Sequence, residues 1–407
     1  MEKSEFYRRA REDRNGPLHG IRVIEAATAW AGPMVGCALG DLGCDVVHVD
    51  LPGTPGGTAW PPNLPGTSLG LAHQTVNRNK SGVTIDLRRS EGAALFLELV
   101  AGADIVVENF KPGTLDGWGV GYEQCRAVNE AVIFVSVSGW GQFGPWSERA
   151  GYDPVALAAG GWMSLNGDPD GPPLKGPTYV ADDLAGIHAA LGAVAALQHR
   201  NATGEGQHVD VALLDALLFQ SNGYLTAGAT GLPLQRWGSE VGVSVPTNTF
   251  RCDDGYVYIA MILDAHWRKL CELMGRSELA EDARFATNVE RIAHREQVNG
   301  IVAGWCATRT RTEVLDALNS IGVAVALVNS YAEAASEPHV LERDMLQSVT
   351  LSDGSEAPIT GPAAKFSRTP TRVRHAAPVV GADTDSVLEA AGVSAARRAT
   401  LRAAGVI

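Results

Sequence analysis

A chain of 407 residues exceeds what one hydrophobic core ordinarily serves and predicts two domains. Hydrophobic residues make up 45% and charged residues 19%, a globular composition that excludes wholesale disorder. The formal net charge of −13 argues against nucleic acid or an anionic membrane as partner, so an anionic ligand requires a local basic patch.

Residues 1–17 are polar, carry no apolar signal core and read as a mobile extension. No stretch approaches the roughly 18 uncharged apolar residues of a spanning helix, so the expected location is cytoplasmic. From Leu18 the pattern changes. Residues 21–25 (IRVIE) read as a strand, AGPMVGCALGDLG as a turn and small-residue helix, and residues 45–50 (DVVHVD) as a second strand. Strand, helix and strand in this order make a right-handed parallel βαβ unit. After a Pro/Gly-rich loop over 51–71, residues 83–87 resume as a strand, and Ser90 is the expected N-cap of a helix over EGAALFLELVAGA. The apolar runs 104–108 and 131–137 fit buried parallel strands. Residues 18–210 are therefore expected to form an open, Rossmann-like parallel α/β sheet.

After Tyr224 the character shifts. The runs 248–252 and 256–260 flank Asp253-Asp254-Gly255, a hairpin signal. A helix from Asp264 places Trp267, Leu270, Cys271 and Met274 on one face and stops at Gly275. Thr310 and Glu313 predict a capping box. A smaller α+β domain over 225–335 follows, with a segment over 338–407 returning to the large domain. The six cysteines form no CxxC pair and read as buried free thiols, and the ten histidines show no metal-ligand spacing, so no metal is expected.

Ligands of open α/β sheets bind beyond the carboxyl ends of strands, at helix N-termini. Three such places carry candidate residues: the turn with Trp30 and Ala31; the run Asn77, Arg78, Asn79 and Lys80, with Arg88 and Arg89 soon after; and Asn109, Phe110 and Lys111 after an apolar strand. The first lacks the GxGxxG of a dinucleotide fold, although Asp50 imitates its ribose-binding acid. The cations of the second suit a phosphorylated nucleotide, and a solvated loop fits the same letters. A fourth place is Asp182-Asp183 ahead of a small-residue helix. From the local pattern either acid reads first as a plain N-cap, with a carboxylate facing a cleft as the alternative.

These segments, in this order, resemble the class III coenzyme A transferases, the family that includes formyl-CoA and carnitine CoA-transferases and 2-methylacyl-CoA racemases. The likeness runs from about Leu18 to Ile407 and includes NRNKSGVTIDL, DIVVENFKPGTLDGWGVGY, SGWGQFGPWSERAGYDPVALAAGG and VADDLAGIHAALGAVAAL. It implies a catalytic aspartate in a D-x-x-x-G motif, matched by Asp182 and Gly186. It further implies CoA contacts at Trp30, Ala31, Asn77 to Lys80, Asn109 to Lys111, and Arg149 to Tyr152. It implies acyl-CoA and a carboxylic acid as substrates, no tightly bound cofactor, and an interlocked homodimer. Two arginines expected at the nucleotide end are Leu51 and Gly117 here, which leaves Arg78, Lys80 and Lys111 to supply phosphate contacts. The racemase branch pairs the aspartate with a histidine. The matching position holds Tyr152, a poor base near neutral pH, which favours transfer over epimerisation. A glycine loop that shields the intermediate in the family corresponds to Arg236-Trp237-Gly238-Ser239, without a glycine run.

Overall fold

The computed structural model describes residues 1–55 and 60–407. Two compact units emerge. The first comprises Met1–Trp162, Pro177–Thr230 and Pro338–Ile407; the second comprises Met163–Gly176 and Gly231–Glu337. Residues 163–176, which composition alone leaves inside the large domain, thus group with the second unit.

The first unit is built on six parallel strands: β1 (Arg22–Ala26), β2 (Asp45–Asp50), β3 (Lys80–Thr84), β4 (Ile105–Glu108), β5 (Ile133–Ser138) and β6 (Gln207–Ala212). Their spatial order is β3-β2-β1-β4-β5-β6. The direction of winding therefore reverses between β1 and β4, which opens a crevice beyond their carboxyl ends. The apolar runs in β1, β4 and β5 are buried because helices cover both faces of the sheet.

The third strand starts three residues before the expected 83–87, and Lys80 pairs with Val46 of β2. A lysine does not read as buried strand, and only its buried acidic partner makes it one. Ser90 is the first helical residue rather than the cap, since Arg89 occupies that position. The strand over 207–212 was not foreseen; half-exposed polar residues alternate along this edge.

The chain's end belongs to the core of this unit. Leu388, Leu401, Val406 and Ile407 pack with Ile24, Phe96, Val106 and Phe134. The N-terminal extension is also held: Lys3 pairs with Asp344 at 2.8 Å, and the Arg11 amide donates to the Arg368 carbonyl.

In the second unit β7 (Thr247–Cys252), β8 (Gly255–Ala260) and β9 (Ala324–Leu327) form an antiparallel sheet. Helix Asp264–Leu273 buries Trp267, Leu270 and Cys271, and Gly275 ends it with φ +69°. The capping box at Thr310 and Glu313 is formed in both directions. All six cysteines are buried free thiols.

Candidate active site

Two loops meet where the winding reverses. The turn after β1 carries Ala29 in the left-handed region, φ +63°, a costly conformation for a residue with a Cβ. Asn109, just after β4, holds that turn. Its side-chain oxygen accepts from the Thr28 amide, and its amide donates to the Thr28 carbonyl, both at 2.8 Å. Gly32 makes the approach possible, since a Cβ there would sit 2.7 Å from Asn109 Cγ. The Asn109 amide group is thereby committed to the backbone of the turn. Glu108, immediately before, is buried, and its carboxylate accepts from the Phe110 amide at 2.8 Å. Burial lifts the Glu108 carboxyl to about 7.

The turn leads into helix Ala31–Asp41, which packs against helix Val180–Thr203. The contact is tight because of Gly186. A methyl there would meet Met34 Cγ at 2.6 Å and the Ala31 carbonyl at 3.2 Å. The D-x-x-x-G spacing then has a physical meaning: glycine seats the long helix against its neighbour, and the aspartate lies one turn earlier, at the helix start.

Neither acid of the pair caps that helix. Tyr179 occupies the cap position, and the Ala181 amide donates to Asp153 Oδ1 at 2.8 Å. Buried Asp153 does the capping from another helix, Asp153–Ala159, which leaves Asp182 and Asp183 in the first turn, half-buried. The positive end of the helix favours an ionised carboxylate there. Asp183 accepts a hydrogen bond from Trp30 Nε1 at 2.7 Å. Burial raises its carboxyl, and the Trp30 bond works in the opposite sense. His188 Nδ1 bonds the Leu184 carbonyl and its ring meets Phe219, a packing role.

A cavity of about 640 Å³ opens over the carboxyl ends of β1, β2 and β3. Among the described residues, it is walled by the 26–29 turn, residues 48–51 and 85–88, and the rings of Phe110, Trp118 and Tyr152. Tyr152 is 68% exposed, and Asn77 reaches the lining as well.

The neighbours of Asn77 do something else. Arg78 is buried and donates from Nη2 and Nε to Asp41 at 2.6 and 3.1 Å. Asn79 donates to Asp41 and to the Arg372 carbonyl and accepts from the Arg374 amide, stapling the returning C-terminal segment to the sheet. Lys80 is 1% exposed. Its ammonium donates to both Glu25 oxygens, the Pro33 carbonyl and Asn77 Oδ1, all within 2.9 Å. The expected phosphate contacts of Arg78 and Lys80 are therefore corrected, because both cations are already neutralised inside the protein. Lys111 is exposed and lies 3.2 Å from Glu148, while the exposed Arg149 stacks on Trp146. The cationic groups that do line the cavity are Arg88, paired with Asp86, and His48.

His48 drew no attention in the sequence. Burial alone would lower its imidazole, but hydrogen bonds to Asp50 and Glu25 outweigh this and raise it to about 9. Glu25 thus holds Lys80 and His48 together under the cavity floor. A Cβ on Gly36 would lie 1.7 Å from Glu25 Oε2, so glycine makes room for this cluster. No group of three or more His, Cys, Asp or Glu side chains among the described residues is placed to hold a metal ion.

An all-parallel sheet with a crevice at its reversal point, a cavity over its strand ends and a carboxylate pair on the helix packed against Ala31–Asp41 are the features of an α/β enzyme. Residues 18–384 match CoA-transferase family III, and the chain belongs to that family. It is 36% identical to the succinate–glutarate CoA-transferase of Agrobacterium fabrum over 92% of this chain and 96% of that one. Its identity to the succinyl-CoA–L-malate CoA-transferase beta subunit of Chloroflexus aurantiacus is 37%, over 92% and 93% of the two chains. The crystal structure of a CAIB/BAIF family protein from Brucella suis superposes with a TM-score of 0.84 at 34% identity, covering 93% of this chain and all of that one.

Proposed function

We propose that this class III CoA-transferase moves coenzyme A from an acyl-CoA to a carboxylic acid with Asp182 as covalent nucleophile. The observation that carries the assignment is the family match over residues 18–384 together with Gly186, which seats the long helix so that Asp182, four residues earlier, lies in its half-buried first turn. A carboxylate oxygen attacks the thioester carbonyl, the C–S bond breaks, and a mixed anhydride and CoA thiolate form. The thiolate attacks the aspartyl carbonyl, releasing the donor's carboxylate and leaving an aspartyl-CoA thioester. The acceptor carboxylate attacks that thioester, expelling thiolate and giving a second anhydride. The thiolate then takes the acceptor's acyl group and restores Asp182. Each step exchanges one acyl–oxygen or acyl–sulfur bond for another, and no redox partner is required.

Trp30, Ala31, Asn77, Phe110 and Tyr152 are the proposed CoA-contacting residues, with Lys111 and Arg149 at the exposed rim and Asn109 and Asn79 as supports. The donor inferred from the relatives is a short dicarboxylyl thioester such as succinyl-CoA. The functional form inferred is an interlocked homodimer. Apolar side chains left exposed on the first unit, among them Ile187, Leu191, Phe219 and Leu225, are the surface such a partner would cover.

The test is intact mass after incubation with a panel of acyl-CoAs, including succinyl-CoA, followed by hydroxylamine treatment. A CoA-sized or acyl-sized adduct that is labile to hydroxylamine and absent in Asp182→Ala is the expected result. No adduct with any donor, together with exchange of the substrate's α-proton into deuterium oxide, would replace transfer by epimerisation.

A further inference from the structure

Asp183 stands beside the proposed nucleophile and belongs to no step of the chemistry. Its Oδ1 accepts from the indole N–H of Trp30 at 2.7 Å. The Trp30 ring also meets Tyr179 edge-on, with centroids 5.1 Å apart and planes at 60°. Residues 179 and 183 are four apart on one helix, so a single indole spans the turn that carries Asp182 between them. Trp30 itself is the last residue of the strained turn, at φ −130° and ψ −63°, and caps helix Ala31–Asp41. Asn109 grips that turn from the β4 side through Thr28, and Asp183 grips it from the opposite helix through Trp30.

We propose that Asp183 is a positioning residue for transfer: it fixes the Trp30 ring as a rigid wall beside Asp182, against which the acyl group is held. The inference rests on Asp182 being the nucleophile. It also assigns Trp30 a part: its N–H is committed to Asp183, so the ring acts through its apolar face rather than as a donor to the developing oxyanion. A half-buried carboxylate with a charge-assisted bond of this length orients its partner better than a neutral acceptor does. Ordering an aromatic wall before the substrate arrives lowers the cost of reaching an attack geometry.

The experiment uses the full chain in four forms: Asp183→Ala, Asp183→Asn, Trp30→Phe and the double variant Asp183→Ala/Trp30→Phe. Each is assayed for kcat and KM in succinyl-CoA exchange, and each is labelled with 15N at tryptophan. Asp183→Ala is expected to lower kcat roughly tenfold or more with KM for the thioester changed less, the loss of one charge-assisted hydrogen bond. Asp183→Asn, which keeps an acceptor oxygen, is expected to recover most of that loss. The double variant should be no slower than the slower single, because both changes remove one contact. The Trp30 indole resonance, assigned by its disappearance in Trp30→Phe, should move in Asp183→Ala and stay near its place in Asp183→Asn.

Multiplicative losses in the double variant, or full activity in Asp183→Ala despite a displaced indole signal, would overturn the positioning role alone. A wild-type chain that exchanges no thioester, with the indole signal responding as described, would instead overturn the transfer reading and with it any role of Asp183 in that reaction. An adduct that survives in Asp182→Ala and vanishes in Asp183→Asn would make Asp183 the nucleophile and sink both assignments.

Discussion

The run Asn77 to Lys80 and the pair Asp182-Asp183 are the two densest polar motifs near the sheet, and they occupy opposite physical situations. In the first, Arg78 and Lys80 are sealed from water, each against its own acid, and Asn79 ties down a distant segment. In the second, both acids stay half-buried at a helix start whose capping is done elsewhere. Charge that the fold has already neutralised holds structure. Charge that stays half-exposed at a helix start beside a crevice is a candidate for chemistry.

The contrast is sharpest for Lys80. Lys80→Met leaves Glu25 buried beside a single remaining cation and is expected to cost about 3–5 kcal/mol in urea unfolding. A loss under about 1 kcal/mol would break the comparison, since Lys80 would then be free to serve a ligand. The same cluster predicts a pH dependence. His48 titrates at about 9 in the folded protein against 6.5 for the free side chain. A raised value means that the stabilisation is fully present below pH 6.5 and is lost as pH climbs through 9. The loss should be on the order of 3 kcal/mol, and His48→Gln should flatten that limb of the stability curve.

Gly186→Ala comes next. Its methyl cannot fit against Met34 and the Ala31 carbonyl without moving a helix, so about 1–3 kcal/mol should disappear, and transfer should fall with it. The smallest effect on stability is expected at the proposed nucleophile. Asp182→Asn should change the unfolding free energy by less than about 0.5 kcal/mol while removing transfer. A larger destabilisation would place Asp182 with Lys80 as a structural charge.

Much of the sheet was legible because apolar runs of four to seven residues, flanked by turn residues, permit little besides buried strand. β3 was misplaced and β6 missed for one reason: their strand character depends on partners. Lys80 enters a strand because Glu25 waits on β1, across β2, and the polar residues of β6 lie along a sheet edge. The hairpin at Asp253-Asp254-Gly255 and the box at Thr310 and Glu313 were readable because their hydrogen bonds close within a few residues.

The site divides in the same way. The aspartate-to-glycine spacing and the aromatic turn at Trp30 stand in the sequence, and the resemblance they carry led to the family. What the letters could not decide was which acid caps the helix, since that answer lies in Asp153, 28 residues away from the amide it holds. They could not disclose His48, whose charge comes from Asp50 and Glu25 closing on it inside the sheet. Local periodicity determined the class of fold, and the resemblance of many ordered segments pointed to the family. Burial and long-range pairing, which exist only after the chain has closed on itself, decided which charges are neutralised inside the structure and which stay partly exposed.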